Sequence, residues 1–204
     1  MNMTFQKILI FSFSLFFMNM TMAQKMKKKF QTVKVELRID APAEKVWEAM
    51  VLDYGAISNF SPYIYASNYE AGSLKGEVGA ERKCSFNAKG SQWVHEKIKS
   101  IDHDRRVMVN VPIDGAKLPL DYENTQAFYT VRKNPDGSST AGYEMQFRTR
   151  PAFMGMLAKG GFKKQLGGTL VGLKHFVETG EKVNLANEGY EEIKDKYPRA
   201  TVLD

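Results

Sequence analysis

Hydrophobic and polar positions alternate cleanly from Val33 to Asp40. Val33, Val35, Leu37 and Ile39 take turns with Lys34, Glu36, Arg38 and Asp40. Period two predicts a strand with one buried face. The period then changes. Asp40 is expected to cap a helix, with Pro42 in its first turn, Glu44 near its positive end and Val46, Trp47 and Met50 as the buried stripe. A second short helix is expected to begin at Asp53 or Tyr54 and to stop at Pro62. Strand-like segments follow: Tyr63 to Tyr69, Ala80 to Asn87 and its hairpin partner, and a run marked by Val107, Val109 and Val111. Pro112 to Tyr122 reads as a long loop, and Gln126 to Arg132 with Thr140 to Thr149 as a second hairpin. Phe162, Leu166, Leu170, Leu173 and Val177 then recur at helical spacing within Pro151 to Thr179, and Gly180 is a natural C-cap. One strand, a helical clasp, a run of strands and a final long helix predict an α+β domain whose sheet curls around that helix.

The turns set the strand register. Ala88-Lys89-Gly90 fits a three-residue hairpin loop with glycine in the left-handed position. Counting back pairs Asn87 with Ser91, Cys84 with Val94 and Arg82 with Glu96. Arg82, Cys84, Phe86, Val94, Glu96 and Ile98 then point inward, and Trp93, His95 and Lys97 outward. A two-residue loop would shift every pair by one. Around Pro135-Asp136-Gly137 the same count pairs Tyr129 with Tyr143 and Ala127 with Met145.

The closing helix carries Gly155, Gly160, Gly161, Gly167, Gly168 and Gly172. Each costs about 1 kcal/mol relative to alanine in a helix interior. Three reasons remain open: close approach of helix to sheet, room for a ligand, or a break near Gly160-Gly161.

Residues 1–23 stand apart. Lys7 is their only charge, Ile8 to Met18 is apolar, and Thr21-Met22-Ala23 offers small residues for cleavage. This is a secretory signal pattern, with an apolar run short of the roughly 20 residues a membrane span needs. The expectation is therefore an exported protein, periplasmic or secreted, cleaved near Ala23. Removing that segment takes the formal charge from +6 to +5. A basic leader follows over residues 24–31, with Lys25, Lys27, Lys28 and Lys29. Weak contact with an anionic membrane surface is one reading of that run, and a solvated leader is the other. No aromatic residues interleave with the lysines, so nucleic acid is not expected as a partner. Residues 181–204 read as a polar tail with one short helix, Glu188 to Lys196. Cys84 is the only cysteine, which excludes an internal disulfide.

Candidate chemistry is sparse. Arg82 opposite Glu96 on an inward face is a costly arrangement unless well hydrogen-bonded. It is either a polar anchor for a ligand head group or a self-satisfied pair that holds the register. Tyr129 and Tyr143 are buried phenols that need partners. His95, His103 and His175 fall in separate segments, and none pairs with Cys84 or a serine. No Cys/His spacing suggests zinc, and the glycines match no phosphate-loop pattern. No cofactor, no metal and no catalytic residue is assigned.

The pieces IDAPAEKVWEAM, LDYGAISNFSPYI, VGAERKCSF with VHEKIKSID, and LKHFVETG come in a familiar order over roughly Lys29 to Gly180. The chain resembles the helix-grip superfamily of START lipid-transfer domains, birch-pollen-allergen-like proteins and polyketide cyclase/dehydrase-like proteins, often called SRPBCC. The resemblance implies a helix-grip domain over residues 32–180, with a seven-stranded antiparallel sheet gripping the C-terminal helix around an apolar cavity. On that reading the candidate ligand-binding residues are Trp47, Phe60, Arg82, Phe86, Glu96, Tyr129, Tyr143, Met145, Phe162 and Leu166. Trp47 and Phe60 would help wall a mouth plugged by the two short helices, and the loop Pro112 to Tyr122 would form the entrance. The implied function is an exported carrier of a hydrophobic or amphipathic, lipid-like small molecule. The alternative is a cyclase- or dehydratase-like enzyme using Arg82, Glu96 or a tyrosine to steer protons.

Overall fold

The computed structural model describes residues 30–203. The segments read as signal peptide and basic leader lie outside the described residues, apart from Phe30 and Gln31. Eight antiparallel strands form one sheet in the order β2-β3-β4-β5-β6-β7-β1-β8. They are β1 (Gln31–Ile39), β2 (Ala66–Tyr69), β3 (Glu81–Ser85), β4 (Trp93–Asp102), β5 (Val107–Ala116), β6 (Gln126–Lys133), β7 (Ser139–Phe147) and β8 (Thr201–Leu203). The helices are α1 (Ala43–Trp47), α2 (Met154–Thr179) and α3 (Tyr190–Ile193). The expected α+β helix grip is present, with one strand more than the expected seven.

β1 is buried where its apolar positions predict, at Val33, Val35, Leu37 and Ile39. It pairs with β7 through Val35 opposite Tyr143 and Val33 opposite Met145. Both hairpin registers are as the turns dictate: Arg82 faces Glu96, Cys84 faces Val94, and Tyr129 faces Tyr143. Gly90 and Gly137 hold the positive φ angles, 61° and 85°, that these turns require.

Several local expectations are corrected. Asp40 caps no helix: Pro42 occupies the N-cap position without a side-chain bond. Asp40 instead takes a hydrogen bond from Lys174 Nζ at 2.8 Å and so ties the end of β1 to α2. α1 winds into a π turn over Glu48–Leu52 and a 3₁₀ helix over Tyr54–Asn59. The strand expected from Tyr63 starts only at Ala66. The expected loop from Pro112 is strand as far as Ala116, paired with β4 alone, because β6 pairs with β5 only over Val107 to Asn110. A proline is tolerated on a strand with one free edge. The tail is not merely polar. Val183 and Ile193 are buried, Val183 N–H bonds the Asn59 carbonyl, and β8 pairs with β1.

The core lies between the concave face of the sheet and α2, where Leu166, Leu170, Leu173 and Val177 are buried as their spacing predicts. α2 is continuous through Gly160 and Gly161, which removes a break from the three reasons for its glycines. The glycines allow close approach, Gly155 to β1 and Gly168 and Gly172 to the segment after the 3₁₀ helix. A Cβ at Gly172 would lie 2.1 Å from the Phe60 carbonyl oxygen, and one at Gly168 would lie 2.7 Å from the Tyr63 ring. Ser61 and Thr169 hydroxyls bond at 3.0 Å across the same seam.

Charged pairs fasten the rim. Arg38 holds Asp136 at 2.6 Å, and Arg132 grips both oxygens of Glu36 at 2.8 and 2.7 Å. Bonds from Ser138, with Arg38 beside them, hold the Asp136 carboxyl at about 2, and Arg132 lowers that of Glu36. A carboxyl held below its unfolded value contributes stability above that value and loses it as pH falls through the folded one. For Asp136 the window runs from its ordinary value of 3.8 down to about 2. Urea midpoints of the parent should therefore fall over that range, and Asp136→Asn should flatten the fall. An equal slope in parent and variant would remove Asp136 from the account.

Candidate functional site

A cavity of about 500 Å³ opens between the sheet and the N-terminal half of α2. That size suits a small organic ligand. β3 and β4 contribute Arg82, Cys84, Phe86, Val94 and Glu96, while β6 and β7 contribute Ala127, Tyr143 and Met145. α2 roofs it with Ala158, Gly161, Phe162, Gln165, Leu166 and Thr169. Ile57, Ser61, Tyr63 and Ile64 close one end, and Leu118, Pro119 and Leu120 form part of the rim. The exposed members of the wall are Pro119, Gly161, Gln165 and Leu185, which marks the opening.

Alternation explains the sheet side of this wall: residues two apart on a strand share a face. Arg82, Phe86, Glu96, Tyr143, Met145, Phe162 and Leu166 all reach the cavity. Three candidates do not. Trp47 is core beneath α1, with its ring edge-on to His103. Phe60 is core and stacks on Phe176 at 6.3 Å. Tyr129 lies behind the wall, bonded to Arg82 and Tyr143. The end wall is built instead by Ile57, Ser61, Tyr63 and Ile64, just beyond the two aromatics sequence reasoning chose. The expected entrance loop gives Pro112 and Leu118 to Leu120 to the wall, although its first half is strand.

The polar end centres on Arg82, whose side chain is 1% exposed. Its Nε donates to Glu96 Oε2 at 2.8 Å, Nη1 to the Tyr54 carbonyl at 2.9 Å, and Nη2 to the Tyr129 hydroxyl at 2.9 Å. The guanidinium also stacks 4.0 Å from the Tyr54 ring centroid. Burial opposes its charge, yet Tyr129, Glu96 and Tyr54 hold its pKa above the usual value. Each nitrogen of Arg82 is thus engaged by the protein itself. Of the two readings of the pair, the self-satisfied one describes the arginine.

Glu96 differs. Arg82 and the Cys84 thiol, at 3.8 Å, both approach Oε2. Oε1 has no partner among the described residues, and Glu96 belongs to the cavity wall. Asn110, fully buried in the same wall, donates to the Tyr54 hydroxyl at 3.3 Å and leaves Oδ1 without a partner. Sequence reasoning missed Asn110, which sits in the Val107 to Val111 run as an inward polar residue. The Tyr129 and Tyr143 hydroxyls lie 2.6 Å apart. Burial pushes Tyr129 up to about 12 and Tyr143 well above a phenol's ordinary value. Both stay protonated at neutral pH. Burial also pushes the Cys84 thiol up to about 12, which favours the protonated thiol over the nucleophilic thiolate. The histidines are scattered: His95 bonds Glu81, and His175 lies between Tyr197 and Glu181. Among the described residues no cluster of His, Cys, Asp and Glu suits a metal.

A family model described as polyketide cyclase / dehydrase and lipid transport matches residues 31–178. Solved structures share the fold. The Bacillus cereus protein XoxI is 17% identical with a TM-score of 0.60, covering 72% of this chain and 96% of its own. Ara h 8.0201 is 19% identical with a TM-score of 0.60, over 74% and 99%. Truncated norcoclaurine synthase from Thalictrum flavum is 15% identical with a TM-score of 0.59, over 74% and 95%. No curated protein matches by sequence.

Proposed function

The chain belongs to the polyketide cyclase/dehydrase and lipid transport family, and from that premise we propose that it is an exported carrier of a hydrophobic or amphipathic small molecule. The observation that carries this reading is the roughly 500 Å³ cavity, apolar over most of its wall and polar at one end. Burying a chain there contributes about 0.8 kcal/mol per CH₂, so several methylenes dominate affinity. Export rests on the sequence of residues 1–23 alone.

The polar end favours a particular head group. Among the described residues Asn110 Oδ1 is a buried acceptor without a partner, which is costly to leave unpaired, and Glu96, 16% exposed in the same wall, offers Oε1 as a second acceptor. A neutral hydroxyl satisfies them, whereas a carboxylate is repelled by Glu96. Arg82 already spends bonds from Nε, Nη1 and Nη2 on Glu96, Tyr54 and Tyr129. With N-phenyl-1-naphthylamine as the reporter, dodecanol should compete at least about 10-fold better than dodecanoate, the scale of one charged hydrogen bond. Glu96→Gln should narrow that gap. Failure of the reporter to bind at all sinks the carrier reading; binding with no preference sinks only the head-group assignment.

A cyclase- or dehydratase-type enzyme is the second reading. It is favoured by the free Glu96 Oε1 in one wall with the protonated Tyr143 hydroxyl, a base and an acid facing one space. Turnover of a bound polyketide-like substrate that Tyr143→Phe abolishes would support it. Recovery of unchanged ligand would oppose it.

A further inference from the structure

The most exposed large hydrophobic side chains among the described residues are adjacent. Phe153, Met156 and Leu157 are 71%, 75% and 78% exposed at the start of α2. Nothing in the core explains them, since α2 packs through its C-terminal half. A helix repeats every 3.6 residues, so Phe153, Leu157 and Gly161 share one ridge. Gly161 is an exposed member of the cavity wall. The apolar tip therefore stands at the mouth of the cavity.

Along the sequence, charge near the tip is of one sign, although Asp121 and Glu123 approach Arg150 from another segment. Between Glu144 and Glu178 the sequence holds no Asp or Glu, but it has Arg148, Arg150, Lys159, Lys163, Lys164 and Lys174. Arg150 is held by Asp121, and Lys174 by Asp40 and Glu178. Lys159 and Lys164, in the two turns after the tip, have no acidic partner among the described residues. The chain also enters the fold here. The Gln31 side chain is 3.1 Å from where a Cβ on Gly155 would sit. Insertable side chains with lysines in the following turns match the chemistry of an anionic lipid bilayer, whose acyl layer takes the former and whose phosphates take the latter.

We propose that the first turn of α2, through Phe153, Met156 and Leu157 with Lys159 and Lys164, docks the cavity mouth onto an anionic membrane surface. An apolar ligand then passes between bilayer and cavity without crossing water. Gly160 and Gly161, where an added Cβ meets nothing within 4 Å, keep that passage uncovered.

Hydroxyl-radical footprinting of Met156 in the unmodified chain tests this locally, whatever residues 1–29 contribute. Vesicles of phosphatidylcholine with phosphatidylglycerol should slow Met156 oxidation at least about 5-fold, and pure phosphatidylcholine should do less. Leu74 and Val78, exposed in the β2–β3 loop, should not change. Phe153→Ser with Leu157→Ser should lower vesicle partitioning about 10-fold or more. The same variant should keep its thermal midpoint and its binding of the neutral probe in solution. Met156 oxidation that ignores vesicles overturns the proposal. So does protection before lipid is added: at every concentration it means that the chain's own N-terminal segment covers the tip, and only at high concentration that a second copy does.

Discussion

Arg82→Ala should destabilise the protein by about 3–5 kcal/mol, the usual cost of removing one partner of a buried ion pair. The substitution strands Glu96 Oε2, the Tyr54 carbonyl and the Tyr129 hydroxyl, each of which takes a hydrogen bond from the guanidinium. It also removes the flat cation from the Tyr54 ring. Urea denaturation measures the loss. The double variant Arg82→Met with Glu96→Leu should recover much of it, because no charge is then left unpaired. A single variant that keeps the parent's stability and instead loses affinity for ligand would make Arg82 the anchor of the site, against the geometry.

Gly172→Ala should cost about 2 kcal/mol or more, in spite of alanine's gain of about 1 kcal/mol in helix propensity. The added carbon would fall 2.1 Å from a backbone oxygen, that of Phe60, which has no rotamer by which to retreat. The loop bearing Ser61 and Tyr63, part of the cavity's end wall, would be displaced with it. Gly160→Ala is the matched control in the same helix. It meets nothing within 4 Å and should stabilise by up to about 1 kcal/mol. Thermal or urea midpoints moving the same way for both variants would dismiss the view that one glycine serves packing and the other leaves space.

The cavity's sheet wall was readable because hairpin geometry is local. A glycine at the third loop position sets the register, and the register sets every facing pair for the length of the strands. Arg82 opposite Glu96 and Tyr129 opposite Tyr143 follow from the residues between them. The end wall was not readable in the same way. Trp47 and Phe60 were chosen for bulk, but bulk in a short helix does not say which side meets the cavity. Trp47 ends α1 and Phe60 follows the 3₁₀ helix, and both aromatics go to the core. Pro112 misled for a related reason. Proline excludes a ladder partner on one side only, and the sequence does not reveal that β6 departs after Asn110. Asp40 has the composition of a helix cap, but Lys174 in distant α2 competes for it and wins.

By itself the sequence determined the order of the first seven strands and of α1 and α2, both hairpin registers and the buried stripe of α2. Periodicity, turn chemistry and residue type act over a few neighbours and need no knowledge of the rest. Only the tertiary structure decided that Arg82 is spent on its own neighbours, that Glu96 and Asn110 share one cavity wall, and that Phe153, Met156 and Leu157 stand exposed at the start of α2. Each of these depends on which distant groups arrive to satisfy or cover a side chain, and that is a property of packing in three dimensions.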